Sequence, residues 1–436
     1  AYLAFALVQN ASRAESLRGR AHYLGWGGYG FLYLSLIAIS YAAESWRFLV
    51  YLGAANVPGL VLAVRRRWLW LPAAVLAGTA ATFAFWLGLA YRPDALVPAV
   101  TVLSVLTAEL LAVNPALQLT GSRIDGWRET GVLVGTAAFS YFSFYWLLYS
   151  GYHDALAGVV LGFAGLYGAL TVVKRRYWPE LERLLQASLA LSVILLTWGI
   201  HLQFSGRWVA ILWSLEAVGL VALRLRPRFY WLGWGSMAIF GLAVTRAAAE
   251  TGEMARGGPV VWNIRALTYA VLAVSLTVAS WLMSKRRERE WAREVLLSTV
   301  FRVVAAALGG VLYTLEAVEY SQGLQTVFSE GVTDRTHMLL SIGWTVYSVV
   351  LLATGFLRRL RAIRWMGLGI LVVVAVKVFL YDLAGVEMVY RIGSFFALGA
   401  VLMLGSWLYR RYGRELREEW GADAAEGAAR GSIEED

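Results

Sequence analysis

The stretch from Leu71 to Tyr91, LPAAVLAGTAATFAFWLGLAY, holds no charged residue, and runs like it recur along the chain between short arginine-bearing loops. A helix needs about 20 apolar residues to cross a hydrocarbon core about 30 Å thick, because each residue rises about 1.5 Å. The runs are long and unbroken rather than short and alternating, which argues against barrel strands. Helices follow, since every backbone N–H and C=O in lipid must find its partner within the segment. Composition agrees. Of 436 residues 59% are hydrophobic and 16% charged, whereas a soluble domain carries roughly a quarter charged residues.

Apolar runs and charged breaks predict an all-α, polytopic membrane protein with about 14–15 spans. A partial span lies near residues 1–10. The others cover roughly 22–43, 48–64, 68–91, 95–118, 130–150, 155–173, 184–204, 207–223, 229–247, 264–284, 294–316, 337–357, 362–382 and 389–409. The span at 48–64 is short and holds Pro58, so it is expected to tilt, break or insert only in part. The spanning domain covers 1–420. Residues 421–436 form an acidic tail rich in small residues that reads as disordered.

Loop charges orient the threading. One alternate set of loops includes RRR at 65–67, KRRYWPELER at 174–183 and KRREREWAR at 285–293, and carries 29 of the 39 Lys and Arg residues. The opposite set carries eight, and Arg302 and Lys377 fall inside spans. Lys and Arg accumulate on the cytoplasmic side. The C-terminus is therefore expected on the cytoplasmic side, and the net charge of +10 reads as this loop bias rather than as nucleic-acid binding. The two longest connections, Ala247 to Asn263 and Glu319 to Thr336, fall outside. Each is long enough for an interfacial helix or a lid. Many Trp and Tyr residues sit at span ends, as interface anchors do.

With no cysteine, disulfides, thiolate catalysis and Cys-type metal sites are excluded. His22, His153, His201 and His337 are far apart, which argues against a bis-histidine haem or a metal centre. No cofactor is implied. No HExxH, nucleophile elbow or P-loop occurs in a supporting context. The sequence thus points away from catalysis without closing the question.

Three spans open alike, with YLGWG at Tyr23, WLGWG at Trp231 and WMGLG at Trp365. The second and third follow similar helices, which suggests helix pairs duplicated in parallel, around 207–247 and 337–382. The run RLRAIRWMGLGILVVVAVKVFLYDLAGVEMVYRIGSFFALGAVLMLGSWLYRR, with GRWVAILWSLEAVGLVALRLRPR before it, resembles the bacterial predicted-membrane-protein family catalogued as domain of unknown function 2339. The likeness is strongest from about Arg207 onward. Members are typically longer, which fits a chain that begins inside an apolar run. The resemblance implies a multispanning bacterial membrane protein and brings no activity or ligand with it.

Charges inside spans cost roughly 2.5–3.5 kcal/mol each near the bilayer centre, so they mark partners, water or function. Lys377 lies in the outer half of its span, where it can snorkel, pair or meet a ligand. Asp382 and Arg391 flank the next turn and are placed to pair with each other. His201, Gln203, Arg207, Arg246, Glu316 and Glu319 share that outer depth. If they converge, Lys377, Arg391, Arg207, His201, Glu316 and Asp382 would line a largely cationic, outward-open pocket suited to an anionic headgroup, phosphate or carboxylate. Deeper lie Glu216, Glu109 and Arg302. Glu216 and Arg302 can meet near the midplane as a packing pair, or Glu109 or Glu216 can carry a proton as carboxylates of coupled transporters do.

Three functions fit. The leading one is binding or translocation of an envelope-related amphiphile or anionic solute, with membrane lipids as partners. The second is a non-catalytic scaffold subunit of an envelope complex, whose charges pair among themselves and whose partners are other envelope proteins. The third is an integral-membrane transferase using a lipid-linked donor and an outer-loop acid such as Glu44, Asp94 or Asp154. The His153–Asp154 turn reads more simply as a helix cap.

Overall fold

Every regular element among the described residues is helical. The computed structural model describes residues 28, 30, 32–37, 46–120, 126–226, 229–250, 263–284, 291–325, 332–378, 396, 399–407 and 410. Within them run α1 (Arg47–Arg66), α2 (Leu71–Leu89), α3 (Leu96–Leu119), α4 (Trp127–Leu148), α5 (His153–Tyr177) and α6 (Glu182–Gln203). There follow α7 (Arg207–Arg224), α8 (Leu232–Ala249), α9 (Ile264–Ser284), α10 (Trp291–Gln325), α11 (Val332–Leu357) and α12 (Arg361–Lys377). A 3₁₀ turn at Pro93–Ala95 leads into α3.

Ten stretches among the described residues are long and apolar enough to cross a membrane. This is an all-α polytopic membrane protein. Helix α7 coincides with an expected span but carries Arg207, Glu216 and Arg224 within 18 residues. Helix α12 is 17 residues long, about 26 Å, and the rest of its expected span lies outside the described residues. So do most of the expected spans at 1–10, 22–43 and 389–409, and the acidic tail.

The surface suits lipid. Large apolar side chains such as Val97, Val105, Phe142, Val172, Val274 and Val372 point outward, where water would penalise a continuous apolar face. Many hydroxyls are satisfied inside their own helices. Thr82, Thr101, Ser104, Thr136 and Ser140 each donate to the carbonyl four residues earlier, as an environment without water requires.

Two expectations need correction. Of the tilted, broken or partly inserted forms expected for the span at 48–64, the broken one is not found: helix α1 runs unbroken from Arg47 to Arg66 with Pro58 inside it, although proline removes one backbone donor, and α1 packs on α2 and α3. Helix α10 does not stop near 316 but continues to Gln325. Its 35 residues reach about 52 Å, so Glu319 belongs to a helix rather than to a long loop. Of the expected connection from Glu319 to Thr336, residues 319–325 and 332–336 are helical.

The chain divides into two compact units, Ala1–Ser205 and Gly206–Asp436. In the first, α1 packs on α2 and α3, α3 on α4, and α4 on α2, α5 and α6, while α5 and α6 form a hairpin. Its core is leucine-rich, with Leu52, Leu103, Leu106, Leu133 and Leu156 fully buried. Phe83 meets Phe139 edge-on at 5.7 Å. Arg67, in the left-handed region at φ 55°, ends α1 and donates to Thr120 O at the C-terminal end of α3, where a cation complements the helix dipole.

The second unit is built of three hairpins, α7/α8, α9/α10 and α11/α12, with α9 packed on α7 and α10 packed on α11 and α12. Glycines set the close approaches. Gly233 leaves room for Arg224 across α7/α8, and Gly367 for Leu352 across α11/α12. These are the first glycines of the two similar openings WLGWG and WMGLG.

Candidate functional site

At one end of the second unit, the end opposite its arginine-rich loops, polar side chains gather in three groups. The first lies between α11 and α12. Lys377 is the last residue of α12, and its Nζ donates to His337 O at 3.0 Å and to Ser341 Oγ at 2.6 Å on α11. The hairpin makes this reach possible, since the start of α11 and the end of α12 share one end of the unit. Ser341 is itself buried and donates to His337 O, so the ammonium enters a small hydrogen-bonded ring. Both of these partners are neutral oxygens.

The second group joins α9 and α10. Arg265 is 2% exposed. It donates from Nε and Nη2 to Glu316 Oε1 at 3.1 and 2.6 Å and from Nη2 to Glu319 Oε2. Glu316 and Glu319 are three residues apart, hence on one helix face. Asn263 adds Nδ2 donations to both oxygens of Glu316, at 3.1 and 3.2 Å, while its Oδ1 accepts from Ala266 N at 2.7 Å at the start of α9. Such a network is costly to desolvate and is held by its mutual bonds.

The third group closes α7 against α8. Arg207 Nη2 donates to Glu250 O at 2.9 Å, and Arg246 pairs with Glu250 Oε1 at 2.7 Å. Gly206, at φ 63°, makes the turn into α7 in a conformation that glycine adopts without strain.

The expected residues bond within different groups. Lys377, Glu316 and Arg207 each sit in a different group. His201 belongs to the first unit, exposed at the end of α6 with its ring 5.5 Å from Trp198. Asp382 and Arg391 lie outside the described residues. Arg265, Asn263 and Glu250 were missed as site members. Arg246 and Glu250 at i,i+4 were a usable signal, but nothing in sequence marks Arg265 as the partner of Glu316, 51 residues away.

Among the deeper charges, the expected meeting of Glu216 with Arg302 does not occur. Helix α9 packs against both α7 and α10, and Arg302 Nε donates to Ser280 Oγ of α9 at 2.7 Å. Glu216 is half-buried on α7. In the first unit, Asn56 Nδ2 approaches Glu109 Oε2 at 3.5 Å. Asn56 Oδ1 accepts from Tyr33 at 2.7 Å and from Thr79 at 3.0 Å.

Asp154 lies exposed in the first turn of α5, but α5 has no side-chain cap hydrogen bond. The expected cap is thus not formed, although a carboxylate there still suits the helix dipole. The described residues contain no group of three or more His, Asp or Glu able to hold a metal ion.

A family model described as "Predicted membrane protein (DUF2339)" matches residues 30–255 and again 226–412. No curated protein and no solved structure matches the chain.

Proposed function

We propose that this chain, which belongs to the predicted membrane proteins of family DUF2339, binds or translocates an envelope-related amphiphile or anionic solute at the outward-facing end of its second unit. On this reading it resides in a bacterial cytoplasmic membrane with its C-terminus inside, as the bias of 29 basic residues to one set of loops suggests. The observation that carries the proposal is the placement of Lys377. Its ammonium is held in position by two neutral oxygens at 3.0 and 2.6 Å, half-buried where α11 begins and α12 ends. An ammonium so placed suits a phosphate or carboxylate, through charge-assisted bonds stronger than neutral ones.

Native mass spectrometry of the protein released from nanodiscs containing anionic and zwitterionic lipids, with a density map around Lys377, tests this. Retained anionic lipid, with headgroup density at Lys377 and about tenfold weaker retention in Lys377→Met, is expected. That factor corresponds to about 1.4 kcal/mol. Equal retention by wild type and Lys377→Met, with a packed site free of headgroup density, overturns it.

The Arg265–Glu316–Glu319 network favours a second reading, the scaffold subunit. Its charged side chains bond to one another across α9 and α10, as they would in a protein that fixes helix geometry for a partner. Under that reading Lys377→Met leaves lipid retention unchanged, while disrupting Arg265 releases copurifying envelope proteins.

A further inference from the structure

Glu109 is the fourteenth of the 24 residues of α3. Asn56 is the tenth of 20 in α1, and Thr79 the ninth of 19 in α2. Three helix midpoints therefore bring polar side chains together at the depth where a charge is hardest to keep. Asn56 and Thr79 are both 0% exposed. The two hydroxyls of Tyr33 and Thr79 converge on Asn56 Oδ1, which settles the orientation of the amide. Its oxygen is engaged twice, so its NH₂ must face the other way, toward Glu109 Oε2. Tyr33 and Thr79 thus act on the carboxyl through Asn56, as positioning residues.

The other described contacts of Glu109 are neutral. Gly53, one turn from Asn56, faces Glu109, and a Cβ added there would sit 3.5 Å from Glu109 Oε1, in ordinary contact. From α4, Ser140 meets α3 at Thr107, at 2.9 Å. Asp94 lies at the far end of α3, on the 3₁₀ turn. Among the described residues, no charged side chain of α1, α2 or α4 bonds to Glu109, and Tyr33 is the titratable group joined to it through Asn56.

We infer that Glu109, presented to an oriented amide at the meeting of α1, α2 and α3, is a proton-binding site that loads and releases a proton within the membrane. The step is –COO⁻ + H⁺ ⇌ –COOH, with the proton drawn from and returned to water. Among the described residues its hydrogen-bond partner is a neutral amide at 3.5 Å, which leaves the carboxyl able to exchange its proton, whereas a buried cation would hold it as a permanent ion pair, as Arg265 holds Glu316.

Infrared difference spectra of the reconstituted protein between acid and alkaline pH provide the test. A carboxylic C=O band is expected at acid pH, absent from Glu109→Gln and restored in Glu109→Asp. An apolar carbodiimide, which adds to protonated carboxyls and leaves a stable N-acylurea, should mark the peptide holding Glu109 in wild type, less as pH rises. Two results would overturn the inference. One is an infrared difference that Glu109→Gln leaves unchanged. The other is an adduct at Glu109 whose yield does not vary with pH.

Discussion

Tyr313 of α10 occupies the space that a side chain at Gly343 of α11 would need, and its hydroxyl donates to Leu339 O of the same helix. The relationship is reciprocal. Tyr347 of α11 lies over Gly309 and Gly310 of α10 and donates to Ala306 O. Trp344 Nε1 adds a bond to Thr314 at 2.9 Å. Lipid gives helices no hydrophobic reason to associate, so such ring-over-glycine contacts and interhelical hydrogen bonds supply the attraction.

Gly343→Ala should therefore lower stability by about 1–3 kcal/mol, the usual range for overpacking, because Tyr313 must leave its carbonyl partner. Thermal unfolding in detergent measures this. In the double variant Tyr313→Leu with Gly343→Ala the overlap is gone, and the loss should be smaller than the sum of the two single losses. A strictly additive pair would contradict the contact.

Arg265 is shared by two carboxylates, so its removal leaves both without it. Arg265→Leu should cost about 3–5 kcal/mol, as breaking a buried ion pair does. Glu319→Gln, which leaves the Arg265–Glu316 bonds in place, should cost less. The order of midpoint temperatures, wild type above Glu319→Gln above Arg265→Leu, is the check.

Asn56 holds three groups at once. Asn56→Leu leaves Tyr33, Thr79 and Glu109 without its amide, at about 1–3 kcal/mol for each buried group left unsatisfied. Thr79→Val removes one of those bonds and should destabilise by a fraction of that. Equal effects of the two substitutions would show that Asn56 does not organise the cluster.

Tyr91, between α2 and the 3₁₀ turn, has its phenol pushed above the ordinary range by burial, then by Tyr152 and Asp94 nearby. The folded state thus holds this proton more tightly than the unfolded state. The associated stability is intact below the ordinary tyrosine value of about 10 and is lost as pH rises through the raised value. The absorbance titration of wild type minus Tyr91→Phe should place this phenol above a free tyrosine. Asp94→Asn should bring it down.

Because the chain has no cysteine, single introduced thiols report its threading directly. Ser205 and Arg176 are both exposed, at opposite ends of α6 and its preceding hairpin. In intact cells a membrane-impermeant maleimide should label Ser205→Cys, and Arg176→Cys only after permeabilisation. The reverse pattern would invert the orientation inferred from the loop charges.

The amino-acid sequence by itself determined that the chain is helical and membrane-spanning, and it placed most helices within a few residues. Run length and local hydropathy decide those properties without reference to neighbours. Its reach ended where hydropathy stopped being the governing quantity. Helix α10 continues through polar residues to Gln325 because hydropathy marks the part in lipid, not the end of the helix. Only the tertiary structure decided that Arg265 closes on Glu316, that Lys377 meets Ser341, that Arg302 turns to Ser280 and that Asn56 faces Glu109. In a soluble protein an apolar stripe would announce the inward face of each helix. Here lipid and helix interior are equally apolar, so the pairing of polar side chains depends on which helices lie side by side, and that is settled by packing.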